Sequence, residues 1–231
     1  MKMRWVLLSV TALTIAAAVY GGAVIRPTFT DYTSQENWKE HFMVAGVDGS
    51  FGVDNCGVMK EYLPQSPYIL RVEVLGDLEV LFGQAQQKVK VKQVYAGDGL
   101  EVGREIYLSR RGWSVVFVEP YSIERQYVNI MDVGREYLVF ANGEIDALDS
   151  DLPVYSCCKG FEKETGETVS FLVAPVFCYD HTDNVPLQAT GNYGTYVPYS
   201  EAKDNEFFGM TSEMVEAWEQ LKAEMIQKYP R

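Results

Sequence analysis

The chain has 231 residues, 47% of them hydrophobic and 13% aromatic, which supports a packed core and excludes a wholly disordered protein. Its length favours one domain, with or without added segments. The formal net charge of -12 repels phosphate backbones, so the sequence argues against a nucleic-acid partner.

Residues 1–25 predict a membrane segment. Lys2 and Arg4 form a basic start, and 21 residues without charge follow from Trp5 to Ile25. This run is long enough for a bilayer span, which needs ~20 residues, whereas the cores of cleavable signals have only ~7–15. We therefore expect an uncleaved signal anchor, a transmembrane helix that leaves the rest of the chain outside the cytoplasm. A long signal peptide that is cleaved, releasing a secreted protein, is the alternative.

Residues 26–67 are expected to form a linker with short helices. Thr33-Ser34-Gln35-Glu36 has the spacing of a capping box, which favours a short helix over Asn37–Phe42. The glycine-rich stretch Ala45–Gly57 is typical of a loop. Val58–Leu63 predicts one helical turn that ends before two prolines.

Residues 68–180 carry the alternation of apolar and polar side chains that is typical of β-strands. Tyr68–Val74 and Lys88–Lys92 alternate, and Glu105–Ser109 resumes the pattern after a loop with two glycines. Tyr137–Phe140 predicts a more deeply buried strand. The fold class is therefore mainly β, with strands that curl into a small barrel.

Glycines and changes of phase refine these strands. The apolar residues of the second strand are two apart at Val89 and Val91, but the next one is Val94. This break in the alternation predicts a β-bulge near Gln93. Gly76 is expected to bend a long first strand around the barrel. An internal echo, Val102–Leu108 and Val133–Leu138, predicts two glycine turns that each begin a strand.

Together these segments resemble the netrin-like domain, a group that includes tissue inhibitors of metalloproteases and related bacterial surface proteins. The resemblance rests on a short helix, the strand Tyr68–Val72, the segment Val89–Leu108 and the segment Asp132–Phe140. It covers roughly Asn55–Phe177 and implies an OB-type Greek-key barrel of five strands with a flanking helix. In the inhibitors an N-terminal cysteine binds the protease zinc. Cys56 is the matching candidate here, and that activity would require cleavage just before it.

Two further segments complete the predicted fold. Val154–Cys158 and Thr168–Val173 flank a polar loop and are expected to form a hairpin that closes the barrel. Residues 211–231 predict an amphipathic helix that Thr211 or Ser212 caps. Its apolar face would carry Val215, Trp218, Leu221 and Met225. Its solvent-facing side would carry Glu213, Glu216, Glu219 and Lys222.

Residues 181–210 are predicted to be a long loop rich in tyrosine and glycine. Tyr193, Tyr196 and Tyr199 are candidate binding residues, because tyrosine rings bring large, stiff and amphipathic contact area. Packing of these rings against the barrel is the alternative.

The four cysteines are Cys56, Cys157, Cys158 and Cys178. Outside the cytoplasm we expect disulfides, and three pairings are possible. Buried thiols are one alternative. A zinc site formed by Cys157, Cys158, Cys178 and His181 is a weaker one, because adjacent strand residues point to opposite faces.

The sequence contains two histidines and none of the common motifs of serine hydrolases, zinc proteases or phosphate-binding loops. We therefore expect no catalytic residues and no cofactor. The prediction is a membrane-anchored, extracytoplasmic binding or interaction module whose partner is another extracytoplasmic or membrane protein. Protease inhibition is the first alternative, and a thiol- or zinc-dependent enzyme is the second.

Overall fold

A computed structural model describes residues 2–26, 32–81, 83–147, 150–163, 165–189 and 194–231. The chain divides into two units, residues 1–38 and residues 39–231. Each unit is described by itself.

The first unit is dominated by one apolar helix. Helix α1 spans Lys2–Ile25, and its side chains from Met3 onwards are exposed. At 1.5 Å per residue it is about 36 Å long, and a hydrocarbon core is about 30 Å thick. The helix could therefore be a membrane span or a signal sequence. A 3₁₀ turn follows at Tyr32–Ser34.

The expected short helix over Asn37–Phe42 is confirmed in part, as a 3₁₀ helix rather than an α-helix. Asn37 adopts a left-handed conformation with φ of 57°, which interrupts an α-helix. Only a 3₁₀ turn forms after it, at Trp38–His41.

The second unit contains a closed barrel of five strands. The five strands are β2 Tyr68–Val74, β4 Gln84–Ala96, β5 Glu105–Val116, β7 Glu136–Ile145 and β8 Val154–Cys157. Antiparallel pairs join β2 to β4, β4 to β5, β7 to β8 and β2 to β7, and β5 pairs with β8 in parallel to close the ring. The predicted alternation is confirmed in β4, where Val89 and Val91 are buried and the intervening lysine is not.

The register confirms two of the finer predictions. Arg71 pairs with Gln93 while the next residue, Val72, pairs with Val91, so the bulge lies beside Gln93. The two echoed turns have the same structure: the N–H of Gly103 donates to Val91 at 2.7 Å, and that of Gly134 donates to the last residue of β2 at 2.9 Å. Both glycines have positive φ, at 91° and 84°, which explains the residue type.

Two strand predictions are wrong. The first strand ends at Val74 and does not continue through Gly76, because the N–H groups of Leu75 and Gly76 both donate to the carbonyl oxygen of Lys88 and the regular ladder stops there. A separate strand, β3 (Glu79–Leu81), then pairs with β4. The expected hairpin of β8 with Thr168–Val173 is also absent: β10 (Thr168–Ser170) pairs instead with β9 (Gly160–Glu162).

Short strands extend the sheet beyond the barrel. Strand β6 (Ser122–Glu124) continues from β5, and β1 (Met43–Ala45) and β12 (Tyr196–Pro198) follow it. Strand β11 (Val176–Cys178) pairs with β7. The stretch predicted as a continuous loop therefore contains β12 and one turn of helix, α3 (Tyr199–Ala202).

Helices α2 (Ser50–Tyr62) and α4 (Ser212–Lys228) pack together. The expected loop at Ala45–Gly57 is wrong, because its second half forms α2. Gly52 allows the close approach, since a Cβ there would lie 2.6 Å from the sulfur of Met214. The cap on α4 is confirmed: the side chain of Thr211 accepts the N–H of Met214 at 3.2 Å.

The predicted apolar face of α4 is buried, with Trp218 stacked on Phe207 at a centroid distance of 4.9 Å. The prediction that Lys222 faces solvent is wrong, because its side chain is only 6% exposed. It lies one helical turn after Trp218 and so shares the inner face of the helix.

Candidate functional site

A cavity of about 460 Å³ opens beside β7 and β11. We call it the polar cavity. Its lining includes the polar residues Asn129, Asp132, Arg135, Tyr137, Cys178, His181, Lys203, Asp204 and Glu206.

Strand pairing brings a thiol and a phenol together in this cavity. Cys178 on β11 lies opposite Tyr137 on β7, and Arg135 precedes β7 on the same side. Burial, followed by the charge of Glu206, raises the pKa of Cys178. Burial also raises the pKa of Tyr137. Both groups are therefore neutral at pH 7 and act as hydrogen-bonding groups.

A buried ion pair forms the floor of the cavity. One carboxylate oxygen of Glu206 accepts the N–H of Cys178 at 2.5 Å, and the other binds the ammonium group of Lys222. Lys222 also donates to the carbonyl oxygen of Asp180 at 3.3 Å. Burial raises the pKa of Glu206 to about 7, against the opposing effect of Lys222. Its carboxyl group therefore titrates near neutral pH.

Asparagine side chains fix the chain segment that carries Glu206. The amide of Asn205 donates to Val185 at 2.6 Å and accepts its N–H at 3.3 Å. The oxygen of Asn184 accepts the N–H groups of Glu206 and Phe207 at 2.8 and 2.9 Å. Asn205 is buried and Asn184 is half-buried, and together they bind backbone groups on both sides of Glu206, so the floor of the cavity is preorganised.

The rim carries charges of both signs in exposed pairs. Arg135 lies 3.4 Å from Asp132, and Lys203 lies 3.6 Å from Glu40 in the 3₁₀ turn at Trp38–His41. Exposed pairs of this kind contribute only about 0–1 kcal/mol each, so a partner can replace them at little cost. The arrangement is suited to recognition by charge and hydrogen bonding.

Of the predicted tyrosines that the structure describes, neither Tyr196 nor Tyr199 lines the polar cavity. Tyr196, on β12, donates to Glu124 at 2.9 Å and lines a second cavity of about 250 Å³. Tyr199 begins α3 and is half-buried, and this burial raises its pKa to about 12. Tyr193 lies outside the described residues.

All four cysteines are buried, and they lie on α2 (Cys56), at the end of β8 (Cys157 and Cys158) and on β11 (Cys178). Cys157 lies opposite Ala141 on β7 and Cys178 lies opposite Tyr137, so four residues, or about 13 Å, separate them along that strand. A disulfide needs Cα atoms within about 7 Å, so this pair is too far apart. The other disulfide pairings stay predictions.

No group of three or more potential metal ligands occurs among the residues that the structure describes. The side chain of His181 is exposed, whereas the three cysteines of the candidate zinc set are buried. The structure therefore does not bring Cys157, Cys158, Cys178 and His181 together as one site.

Cys56 lies in the middle of α2 and is buried. Burial raises the pKa of its thiol to about 12. Cleavage just before Cys56, which the inhibitor alternative requires, would cut this helix in half. No contact in the described part of the chain favours that alternative.

Sequence reasoning missed the main charged groups of the interior, Glu206, Lys222 and Arg125. For Lys222 a signal was present, because it follows Trp218 by four residues on the buried face of a helix. Glu206 and Arg125 follow no periodic pattern, since both lie in irregular segments.

No protein-family model matches the chain, and no curated protein matches it. The interpretation of the polar cavity therefore depends on its own geometry. The netrin-like resemblance likewise depends on the strand pattern alone and stays a prediction.

Proposed function

We propose that this chain is a membrane-anchored, extracytoplasmic binding module that engages a partner protein through the polar cavity. The observation that carries the proposal is the cavity itself, in which a preorganised floor around Glu206 lies beneath a rim of exposed charges of both signs. Convergent polar groups in a formed cavity are the usual mark of a binding site.

We further propose that the barrel is of the OB type. Numbered in chain order, its five strands pair as 1-2-3-5-4 and return to 1, and the pair formed by strands 3 and 5 is parallel. This order supports a Greek-key connection, since the fourth strand crosses to the far side of the first. It also agrees with the netrin-like resemblance of the sequence.

The placement outside the cytoplasm rests on α1. Lys2 and Arg4 precede the uncharged run, and positive residues stay on the cytoplasmic side of a membrane helix. The rest of the chain then lies on the opposite side of the membrane. It is acidic, so anionic lipid and nucleic acid would repel it. The partner is accordingly another extracytoplasmic or membrane protein.

The test is site-specific photocrosslinking of the full chain in native membranes. A photoreactive residue at Lys203, on the rim, is expected to capture a defined partner. The same residue at Lys60, which is exposed on α2, is the matched control and is expected to capture none. Arg135→Glu should abolish the adduct at Lys203, because it reverses one charge of the rim.

Equal capture from both positions, or capture that Arg135→Glu leaves unchanged, would contradict the proposal. Turnover of a small substrate by the same preparation, without any partner, would instead favour the enzyme alternative.

A further inference from the structure

Residues 229–231 follow α4 and lie against the barrel, where side chains hold their backbone. The phenol of Tyr179 donates to the carbonyl oxygen of Tyr229 at 2.8 Å. The phenol of Tyr95, on β4, donates to the carbonyl oxygen of Pro230. The two phenol oxygens lie 3.2 Å apart, so they form one polar edge. The barrel therefore grips this segment through its carbonyl groups, as a protein grips a bound peptide.

Aromatic rings form the surface beneath the segment. The ring of Tyr229 lies 5.3 Å from the ring of Tyr95 and 5.8 Å from that of Phe140, measured between centroids. Phe140 is buried, whereas Tyr95 and Tyr179 are half-buried. We call the surface formed by Tyr95, Phe140 and Tyr179 the aromatic groove. Grooves lined by aromatic rings are a recurring means of binding peptides that contain proline.

Two carboxylates lie at one end of the aromatic groove and bind a positive charge. The Nε group of Arg231 donates to Glu136 at 2.9 Å, and its Nη1 group donates to Asp180 at 3.2 Å. The side chain of Arg231 is nevertheless 52% exposed, so these two hydrogen bonds, rather than burial, hold it in place. The groove thus recognises a cation directly after a proline.

The aromatic groove is separate from the polar cavity. Glu136 and Tyr137 are adjacent on β7, and adjacent residues of a strand point to opposite faces. Tyr137 lines the polar cavity, whereas Glu136, Asp180 and the three aromatic residues of the groove do not. The chain therefore presents two different surfaces on the two faces of this strand.

The contacts of residues 229–231 are of a kind that another segment can replace. Pro230 and Arg231 are exposed, and Tyr229 is half-buried. Exposed ion pairs contribute little to stability. Proline restricts its own backbone and that of the preceding residue, so a segment with the same residues loses little conformational freedom when it binds.

We propose that the aromatic groove binds a segment of a partner protein in which arginine follows proline, and that residues 229–231 occupy the groove until such a segment displaces them. The carbonyl oxygens of the partner segment accept the two phenols. Its arginine binds the two carboxylates, and the residue before proline packs on Phe140. The formal net charge of -12 also favours a basic segment over an acidic one.

The test is a fluorescence polarisation titration of the full chain in detergent micelles. The probe is a labelled peptide with Tyr-Pro-Arg at its centre and both ends blocked. Arg231→Glu should release the chain's own segment and so bind the peptide at least about tenfold more tightly than the parent does. Lys60→Glu, the same charge change at an exposed position on α2, is the matched control and should bind like the parent. A peptide with Tyr-Pro-Glu at its centre should bind Arg231→Glu at least about tenfold more weakly.

A second pair of variants tests the carboxylates of the groove. In the Arg231→Glu chain, Asp180→Asn should weaken binding of the Tyr-Pro-Arg peptide at least about tenfold, because one charged acceptor is lost. Asp183→Asn, at an exposed carboxylate three residues later, is the matched control and should not change it. Near-UV circular dichroism of each variant shows whether it is folded.

Three results would overturn the proposal: no saturable binding to Arg231→Glu, equal affinity of this variant and the parent, or wild-type affinity in folded Asp180→Asn. Self-association of the parent in sedimentation, lost in Arg231→Glu, would overturn it in favour of a second copy as the occupant. The groove is separate from the polar cavity, so none of these results bears on the crosslinking experiment at Lys203.

Discussion

Lys222 and Arg125 are both cations buried in the unit of residues 39–231, and their surroundings are opposite. Lys222 binds the carboxylate of Glu206 and the carbonyl oxygen of Asp180. Arg125 makes one hydrogen bond and leaves two nitrogens unpaired. The two side chains are similarly buried, but only Lys222 has a counter-ion.

The difference distinguishes a buried charge that the fold pairs with a counter-ion from one that it leaves without a counter-ion. A buried ion pair that is fully hydrogen-bonded belongs to the fold, because removal of one partner strands the other in a medium of low dielectric. A buried charge without a counter-ion is not stabilised by the fold in this way. The following variants test that distinction.

The largest effect is expected for Lys222→Met. This change leaves Glu206 buried without its counter-ion, which should lower the free energy of unfolding by about 3–5 kcal/mol at pH 8. The measurement is a urea titration of the full chain in detergent micelles, followed by near-UV circular dichroism. Lys60→Met, at an exposed position, is the control and should change little. The double variant with Glu206→Gln should recover part of the loss, and no recovery would show that the pair is not coupled.

A smaller loss is expected for Asn205→Ala. The change removes two hydrogen bonds to the backbone of Val185, and water can replace them in part because Val185 is exposed. The free energy of unfolding should therefore fall by about 1 kcal/mol. Asp204→Ala, at the exposed neighbouring residue, is the matched control. Equal effects of the two variants in the same urea titration would show that the asparagine does not fix the segment.

The pH dependence of stability should reveal Glu206. Burial raises its pKa in the folded state from 4.5 to about 7, so the folded protein holds this proton to higher pH than the unfolded chain does. This group therefore lowers the free energy of unfolding as the pH rises from 4.5 towards 7. Glu206→Gln should remove that decline. A constant difference between parent and variant over this range would exclude the raised pKa.

The barrel strands could be predicted from the sequence because the alternation of apolar and polar residues is a local pattern. Lys88–Lys92 alternates so regularly that both its strand character and its buried valines follow from the pattern. The bulge beside Gln93 was equally local. The helical turn predicted at Val58–Leu63 lies in the second half of α2, whereas its first half was missed because its glycines indicate a loop. The packing of α2 against α4 is a contact between distant segments, which a local pattern does not show.

The candidate sites could not be found in the same way. Glu206 and Cys178 meet through a hydrogen bond, and 28 residues separate them in the chain. Arg125 follows a strand of three residues, so no periodicity marks it as buried. Contacts between distant segments decide which polar residues enter the core, and a single sequence does not encode them in a local pattern.

The most direct test of the contrast is the free energy of unfolding of Arg125→Met, measured beside the parent chain in the same urea titration. Replacement of an unpaired buried charge by an apolar side chain of similar length strands no partner charge. We therefore expect the free energy of unfolding to stay the same or to rise by about 1 kcal/mol. A decrease of about 3 kcal/mol, as expected for Lys222→Met, would show that the fold itself pairs this guanidinium and would contradict the account.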